Sequence, residues 1–286
     1  MKNRLVVGFD GSEASKSALR WASAAAAYRG ASVRVLSSYA MPPVVDYYGL
    51  GGAVANPEQA RSLREACTSQ LHDSVTAAIK SHPALGFDYR ADSNNAVEML
   101  VEESAGADLV VLGSNGASPT RSFLLGSVNL EVLHLSACPV AVVPEVMRAP
   151  VGRVTVAIDG SACSNGALAW AIDEADRLDA TLVVAHAWQY PYESTAERFE
   201  RGRDVARVDA ATVLEDAVRT ARERRSGVVL DSLVEGSATD VLFDAADHTD
   251  LLVVGSRGRG GFRSMLLGSV AMSLAGRASC PVCVVR

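Results

Sequence analysis

The chain has 286 residues, enough for about two ordinary domains. Hydrophobic residues make up 49% and charged residues 21%, a globular rather than a disordered balance. The net charge of −6 argues against non-specific binding to nucleic acid or anionic lipid, which calls for a basic surface, and no apolar run approaches the ~20 residues of a membrane span.

The first element, RLVVGFD, is a short β-branched run that predicts a buried strand. Asp10 interrupts the apolar stretch too early for a signal-peptide core, so a cytoplasmic chain is expected. DGS then opens an Ala-rich helix carrying Trp21, with Ser12 placed to cap it. ASVRVLSSYA predicts a second strand, and a Gly-containing stretch, YYGLGGAVAN, follows Pro42. A long helix is predicted from about Pro57 to Lys80, then a third strand at FDYRADS. Asn95 and Glu98 have the spacing of a capping box for a third helix. ADLVVLG predicts the fourth strand, GSVNLEVLHLS a fourth helix, and CPVAVV a fifth strand.

The series then repeats. VVGFDGSEASKSALRWA aligns with VAIDGSACSNGALAWA: Asp10 meets Asp159, Trp21 meets Trp170 and Pro42 meets Pro191, each 149 positions apart. Gly113 meets Gly255 and Cys138 meets Cys280 at 142 positions, so the first copy holds 7 additional residues, placed in the Gly-containing stretch after Pro42. A period this long means tandem domains, set at 1–146 and 151–286, joined by a short linker that predicts close packing. In the second copy Ser161 is the cap, the long helix is predicted from Asp204 to Arg224, and Ser237 with Asp240 has the capping-box spacing. Strands alternating with helices predict parallel sheets covered on both faces, with ligands beyond the strand C-termini where strand order reverses. DGS and the loop after the fourth strand converge there.

That loop reads GSNGASPTRSFLLGS in the first copy and GSRGRGGFRSMLLGS in the second. Both have the spacing G-x2-G-x9-G-S: Gly113, Gly116, Gly126 and Ser127, then Gly255, Gly258, Gly268 and Ser269. Glycines let backbone amides approach an anion without an intervening Cβ, and the last glycine and serine fall where a helix N-terminus offers free N–H groups. The nucleotide-triphosphatase loop is absent because no GK[ST] follows, and G-x-G-x-x-G is absent after either first strand. A tight turn plus helix packing is the competing explanation of one such loop; its occurrence twice, opposite an Asp each time, favours phosphate.

With VGFDGS, VAIDGS, both glycine loops and the terminal CPV strands in view, each half resembles a universal stress protein domain, and the chain a tandem one. The resemblance covers nearly the whole chain. It implies two Rossmann-like (adenine nucleotide alpha hydrolase-like) α/β domains, each an open parallel five-stranded sheet of order 3-2-1-4-5 with helices on both faces. It implies one ATP per domain, with Mg²⁺. Asp10, Ser38, Gly113, Gly116, Gly126 and Ser127 would bind it in the first half; Asp159, Ala187, Gly255, Arg257, Gly258, Gly268 and Ser269 in the second. It also implies pairing of the halves through their last strands; a further homodimer is left open, and no nucleic-acid or membrane partner is expected. The expected role is a nucleotide-dependent stress-response regulator acting on an unidentified protein. A slow ATP hydrolase, a nucleotidyl-transfer enzyme, or an interaction protein that binds no nucleotide stand as alternatives.

Two departures separate the halves. Arg257 and Arg259 have Asn115 and Ala117 as counterparts, which makes the second site the expected stronger one. The additional residues after Pro42 lie close to the adenine position that the resemblance implies, as either a lid over the first site or a plain surface loop. His72, His82, His134, His186 and His248 share no motif between copies, and His186 in its apolar run predicts a hydrogen-bonded core histidine. Cys280 and Cys283 are expected on opposite faces of a strand rather than as a redox or metal pair. Trp21 and Trp170 are expected in the core, and Arg222–Arg225 as a solvated helix end.

Overall fold

The computed structural model describes residues 3–39, 57–114, 125–190, 196–259 and 267–286. The first half runs β1 (Arg4–Phe9), α1 (Glu13–Arg29), β2 (Ser32–Ser38), α2 (Pro57–Ser81), β3 (Phe87–Asp92), α3 (Ala96–Ser104), β4 (Leu109–Gly113), α4 (Ser127–Leu135) and β5 (Val140–Val143). The second repeats it as β6 (Arg153–Ala157), α5 (Ala162–Arg177), β7 (Thr181–Trp188), α6 (Ala196–Arg224), β8 (Val229–Glu235), α7 (Ala238–Ala246), β9 (Leu251–Gly255), α8 (Ser269–Arg277) and β10 (Val282–Val285). Helix α6 starts eight residues before the expected Asp204, because AERFERGR is rich in strong helix formers and its one glycine, Gly202, is tolerated. The expected capping boxes do not form. Asn95 caps α3 through Val97 N at 2.8 Å rather than the third helical amide, and Ser237 makes no side-chain cap.

One ten-stranded sheet holds both halves in the order β3-β2-β1-β4-β5-β10-β9-β6-β7-β8. Every pairing is parallel except β5 with β10, which run antiparallel with Cys283 opposite Ala141. Each half therefore has the order 3-2-1-4-5. Side chains alternate between two apolar layers. Leu5 and Val7 join α1, α2, α5 and α6 on one face, while Val6 joins α3, α4, α7 and α8 on the other. Cys283 falls in the first layer and Cys280 in the second, so the two thiols do lie on opposite faces. Both are free.

The copies pack one shared position differently. A Cβ on Gly8 would lie 2.6 Å from Leu112 Cδ2. The second half has Ala157 beside Val254 at the equivalent places, a larger residue facing a smaller one. Gly8→Ala should therefore overpack and cost about 1–3 kcal/mol in chemical denaturation, and Gly8→Ala with Leu112→Val should recover most of it. Equal stability of the two variants would show that this contact does not set the pairing.

Across the seam α1 meets α5. Glu174, fully buried, accepts from Arg29 Nη2 and Tyr28 Oη at 2.6 Å each and from Arg177 Nη1 at 3.2 Å. The Arg29 guanidinium also lies 5.3 Å from the Trp170 ring centroid. Burial first, then the negative charge of Glu174, pushes the Tyr28 hydroxyl well above its ordinary value. Trp21 and Trp170 are half-buried and pack against the first apolar layer, and Trp170 also serves the seam. Arg225 departs from expectation. It is buried, with Nη2 donating to Ala180 O at 2.9 Å and Nε 2.9 Å from Asp176 Oδ1 as an ion pair, so it joins the end of α6 to the end of α5 and the turn before β7 instead of facing solvent.

Candidate functional site

In each half the sheet order reverses between the first and fourth strands, which opens a crevice beyond their C-terminal ends. Asp10 and Gly113 stand at the first crevice, Asp159 and Gly255 at the second.

The DGS turn builds one wall. Asp10 Oδ1 accepts from Ser12 N at 3.0 Å and Ser12 Oγ at 2.6 Å, and Ser12 Oγ in turn accepts from Ser15 N at 3.1 Å. Asp159 Oδ1 accepts from Ser161 N at 2.9 Å, and Ser161 caps Ser164 N at 3.2 Å. Both caps are as the sequence leads one to expect. Gly11 and Gly160 have φ of 81° and 77°, a backbone state that favours glycine, so the middle residue of DGS is fixed by the turn.

The starts of the two glycine loops are set by packing. A Cβ on Gly113 would lie 2.6 Å from the Ala14 carbonyl carbon and 2.7 Å from Ser15 N. On Gly255 it would lie 2.8 Å from the Cys163 carbonyl carbon and 2.9 Å from Ser164 N. Strand end and first helical turn touch backbone to backbone there, so these two glycines are accounted for without a ligand. The loop ends behave otherwise. Gly126 and Gly268 are the N-caps of α4 and α8, with ordinary φ of −60° and −72° and no side-chain cap on either helix. Among the described residues nothing lies within 4 Å of the position a Cβ would take on Gly126, and Ser127 and Ser269 are exposed in the first helical turn. No N-cap side chain takes the first amide donors of either helix, and such donors suit an anion.

In the second half the start of the loop meets the acid. Asp159 Oδ2 accepts from Arg259 N at 2.8 Å, and Ser161 Oγ donates to Arg257 O at 3.3 Å. A Cβ on Gly258 would lie 2.5 Å from Asp159 Oδ2, and one on Gly160 2.4 Å from Arg259 Nη2. Half-burial alone would raise the Asp159 carboxyl, but the hydrogen bonds from Ser161, then from Arg259 N and Ser164, outweigh it and hold it below its ordinary value. Gly268 N donates to Ser256 O at 2.8 Å, which ties the helix start to the same loop. Arg257, Gly258 and Arg259 are exposed. The sequence singled out Arg257 and Arg259 for their charge, whereas the contact Arg259 makes to Asp159 is through its backbone amide, which carries no residue signature.

The remaining expected residues sit at the crevice edges. Ser38, half-buried at the end of β2, donates to Asn94 O at 2.5 Å. Ala187 is half-buried near the end of β7, beside His186, whose Nδ1 is 2.7 Å from Ile158 O; His186 is the hydrogen-bonded core histidine expected. In the first half, Asn129 donates to Gly113 O at 2.7 Å and Gln70 to Gly11 O at 3.1 Å, two contacts unforeseen from the sequence. Gly116, Arg121, Arg263 and the additional residues after Pro42 lie outside the described residues.

For Mg²⁺ the fit is poor on the protein side. Both oxygens of Asp159 already accept hydrogen bonds, and among the described residues no group of three His, Cys, Asp or Glu side chains could hold a metal. A metal carried on nucleotide phosphates calls for few protein ligands. Among the described residues, no helix is long and apolar enough to cross a membrane.

Comparison with known proteins accords with this architecture. The model of the universal stress protein family matches residues 1–144 and again 150–286. A universal stress protein of Mycolicibacterium smegmatis is 32% identical over 297 aligned positions, covering 99% of this chain and 96% of its own length. The universal stress protein Rv2005c of Mycobacterium tuberculosis is 34% identical over the same span and coverage. A crystal structure of a universal stress protein from Archaeoglobus fulgidus superposes with a TM-score of 0.67 at 21% identity, covering 100% of this chain and 99% of that one, a likeness of fold. With both halves matched and relatives aligned end to end, the chain belongs to the universal stress protein family.

Proposed function

We propose that this protein binds ATP in both crevices and works as a nucleotide-dependent stress-response regulator, one nucleotide in each unit, the units being 1–146 and 151–286. The observation that carries the reading is the pair of helix starts at Gly126 and Gly268 without an N-cap side chain, each with an exposed serine, each following a strand that ends against the first helical turn after its own DGS. Two glycines of the pattern have packing duties, but no described residue lies within 4 Å of where a Cβ on Gly126 would stand. Backbone amides and serine hydroxyls there suit phosphate oxygens. Asp10 and Asp159 hold the turns that shape the crevices, while Ser38 and Ala187 border the adenine end. Mg²⁺ would ride on the phosphates.

Arg257 and Arg259, where the first half has Asn115 and Ala117, support the second crevice as the stronger site. The Asp159–Arg259 hydrogen bond holds the start of the second loop, which lowers the ordering cost of binding there. Regulation through occupancy, read by a partner protein, follows more readily than catalysis, because the described acids serve turns and no histidine is shared between the crevices. Any ATP hydrolysis is then slow and incidental.

The test is to denature freshly purified protein and identify the released nucleotide by chromatography and mass. About two ATP per chain are expected after loading with Mg²⁺-ATP. One per chain would confine binding to a single crevice, and none would replace this reading by an interaction protein that binds no nucleotide. Phosphate or pyrophosphate release at many turnovers per minute would make it an enzyme.

A further inference from the structure

The seam between the halves has two pseudo-equivalent sides, and the chain fills only one. On the first, Arg29 lies over Trp170 and pairs with buried Glu174. The duplication maps Trp170 to Trp21, Arg29 to Leu178 and Glu174 to Ala25. Gly30 and Asp179, the next equivalent pair, share the left-handed backbone state, with φ of 61° and 48°, so the two helix ends correspond in conformation as well as in sequence.

On the second side lies a cavity of about 380 Å³ between the halves, walled by Trp21, Ala25, Leu178 and Pro281 and closed by Met147 and Pro150 of the linker. The linker crosses the seam once, so only this side has that wall. The volume exceeds what one benzene-sized guest occupies and lies within the range of small-molecule pockets.

We propose that this cavity is a binding site for a neutral, planar, mainly apolar molecule of about one or two fused rings. Planarity is argued from the chain's own occupant of the matching seat, a flat guanidinium over the equivalent tryptophan. Neutrality is argued from Ala25, which stands where Glu174 neutralises that guanidinium. The charged groups at the wall are already engaged. Asp250 accepts from Val151 N at 2.7 Å and Arg153 N at 2.9 Å, and Arg148 pairs with Asp247 at 2.9 Å. Burial pushes the Cys280 thiol up to about 12, so that wall stays uncharged at neutral pH. The site is remote from the glycine loops, and the proposal stands whether or not those bind nucleotide. Because both halves and the linker line it, its ligand stabilises one arrangement of the halves.

The experiment titrates the full chain with 5-fluoroindole, followed by fluorine NMR, with benzamidine as the planar cation. Saturable binding of one 5-fluoroindole per chain is expected at about 0.1–1 mM, with benzamidine about tenfold weaker. Leu178→Trp fills the rim from a residue 37% exposed, and Ala24→Phe does so from the exposed face of α1. Either should weaken 5-fluoroindole about tenfold, while Gly258→Ala leaves it unchanged. Absence of saturable binding, equal binding by the wild type and both rim variants, or tighter binding of benzamidine would each overturn the proposal.

Discussion

Glu174→Ala should destabilise the protein by about 3–5 kcal/mol, the cost of leaving a buried charge without its partner. Arg29 retains only 8% of its side-chain exposure and Glu174 none, so water cannot replace the lost carboxylate. Tyr28 Oη loses its acceptor in the same step. The informative comparison is the double variant Arg29→Leu with Glu174→Ala, which gives this side of the seam the residues that the other side already has in Leu178 and Ala25. Replacing a buried pair whole by apolar groups is often neutral or better. The double variant should therefore recover most of the loss in urea denaturation, despite having lost more polar contacts. If it were as unstable as the single variant or worse, the Arg29–Glu174 pair would be a net source of stability instead of a matched burden.

Gly258→Ala should lower ATP affinity in the second crevice by about 10–100-fold while leaving the thermal midpoint nearly unchanged. The added Cβ would fall 2.5 Å from Asp159 Oδ2, which moves the loop away and breaks the hydrogen bond from Arg259 N. A hydrogen bond to a charged group contributes about 1.5–3 kcal/mol, which sets the fold-change. Stability is spared because Gly258 is exposed and lies in no core layer. Calorimetric titration should show the higher-affinity event disappear. Gly116→Ala should remove less; if it removed more, the ranking of the crevices would be reversed.

The strand framework was legible because buried parallel strands read as unbroken β-branched runs, as in LVVLG and LLVVG, and because the duplication let each copy check the other. The crevices were legible as pairs of chain segments, DGS with the loop after the fourth strand. Their internal assignments were less so. Gly113 and Gly255 belong to a phosphate-like pattern, yet each answers to a backbone contact with the first turn of its helix, which only coordinates in space reveal. Arg259 acts through an amide that every non-proline residue has. Glu174 sits in IDEADR, a stretch with the look of a solvated face; its burial comes from a helix that the sequence places 145 residues away. Arg225 was missed for the same reason, its acceptor, Ala180 O, lying 45 residues away just before β7.

The antiparallel join of β5 with β10 has a further consequence. Two separate copies meeting through such an edge would form an isologous dimer, which dissociates on dilution and must show every contact twice. Here a linker of a few residues holds the partners together, so the association is intramolecular and independent of protein concentration. Covalent joining also releases the two surfaces from having to complement themselves. One first helix could acquire an arginine and the other a glutamate, and a mutation on one side no longer had to be tolerated on both.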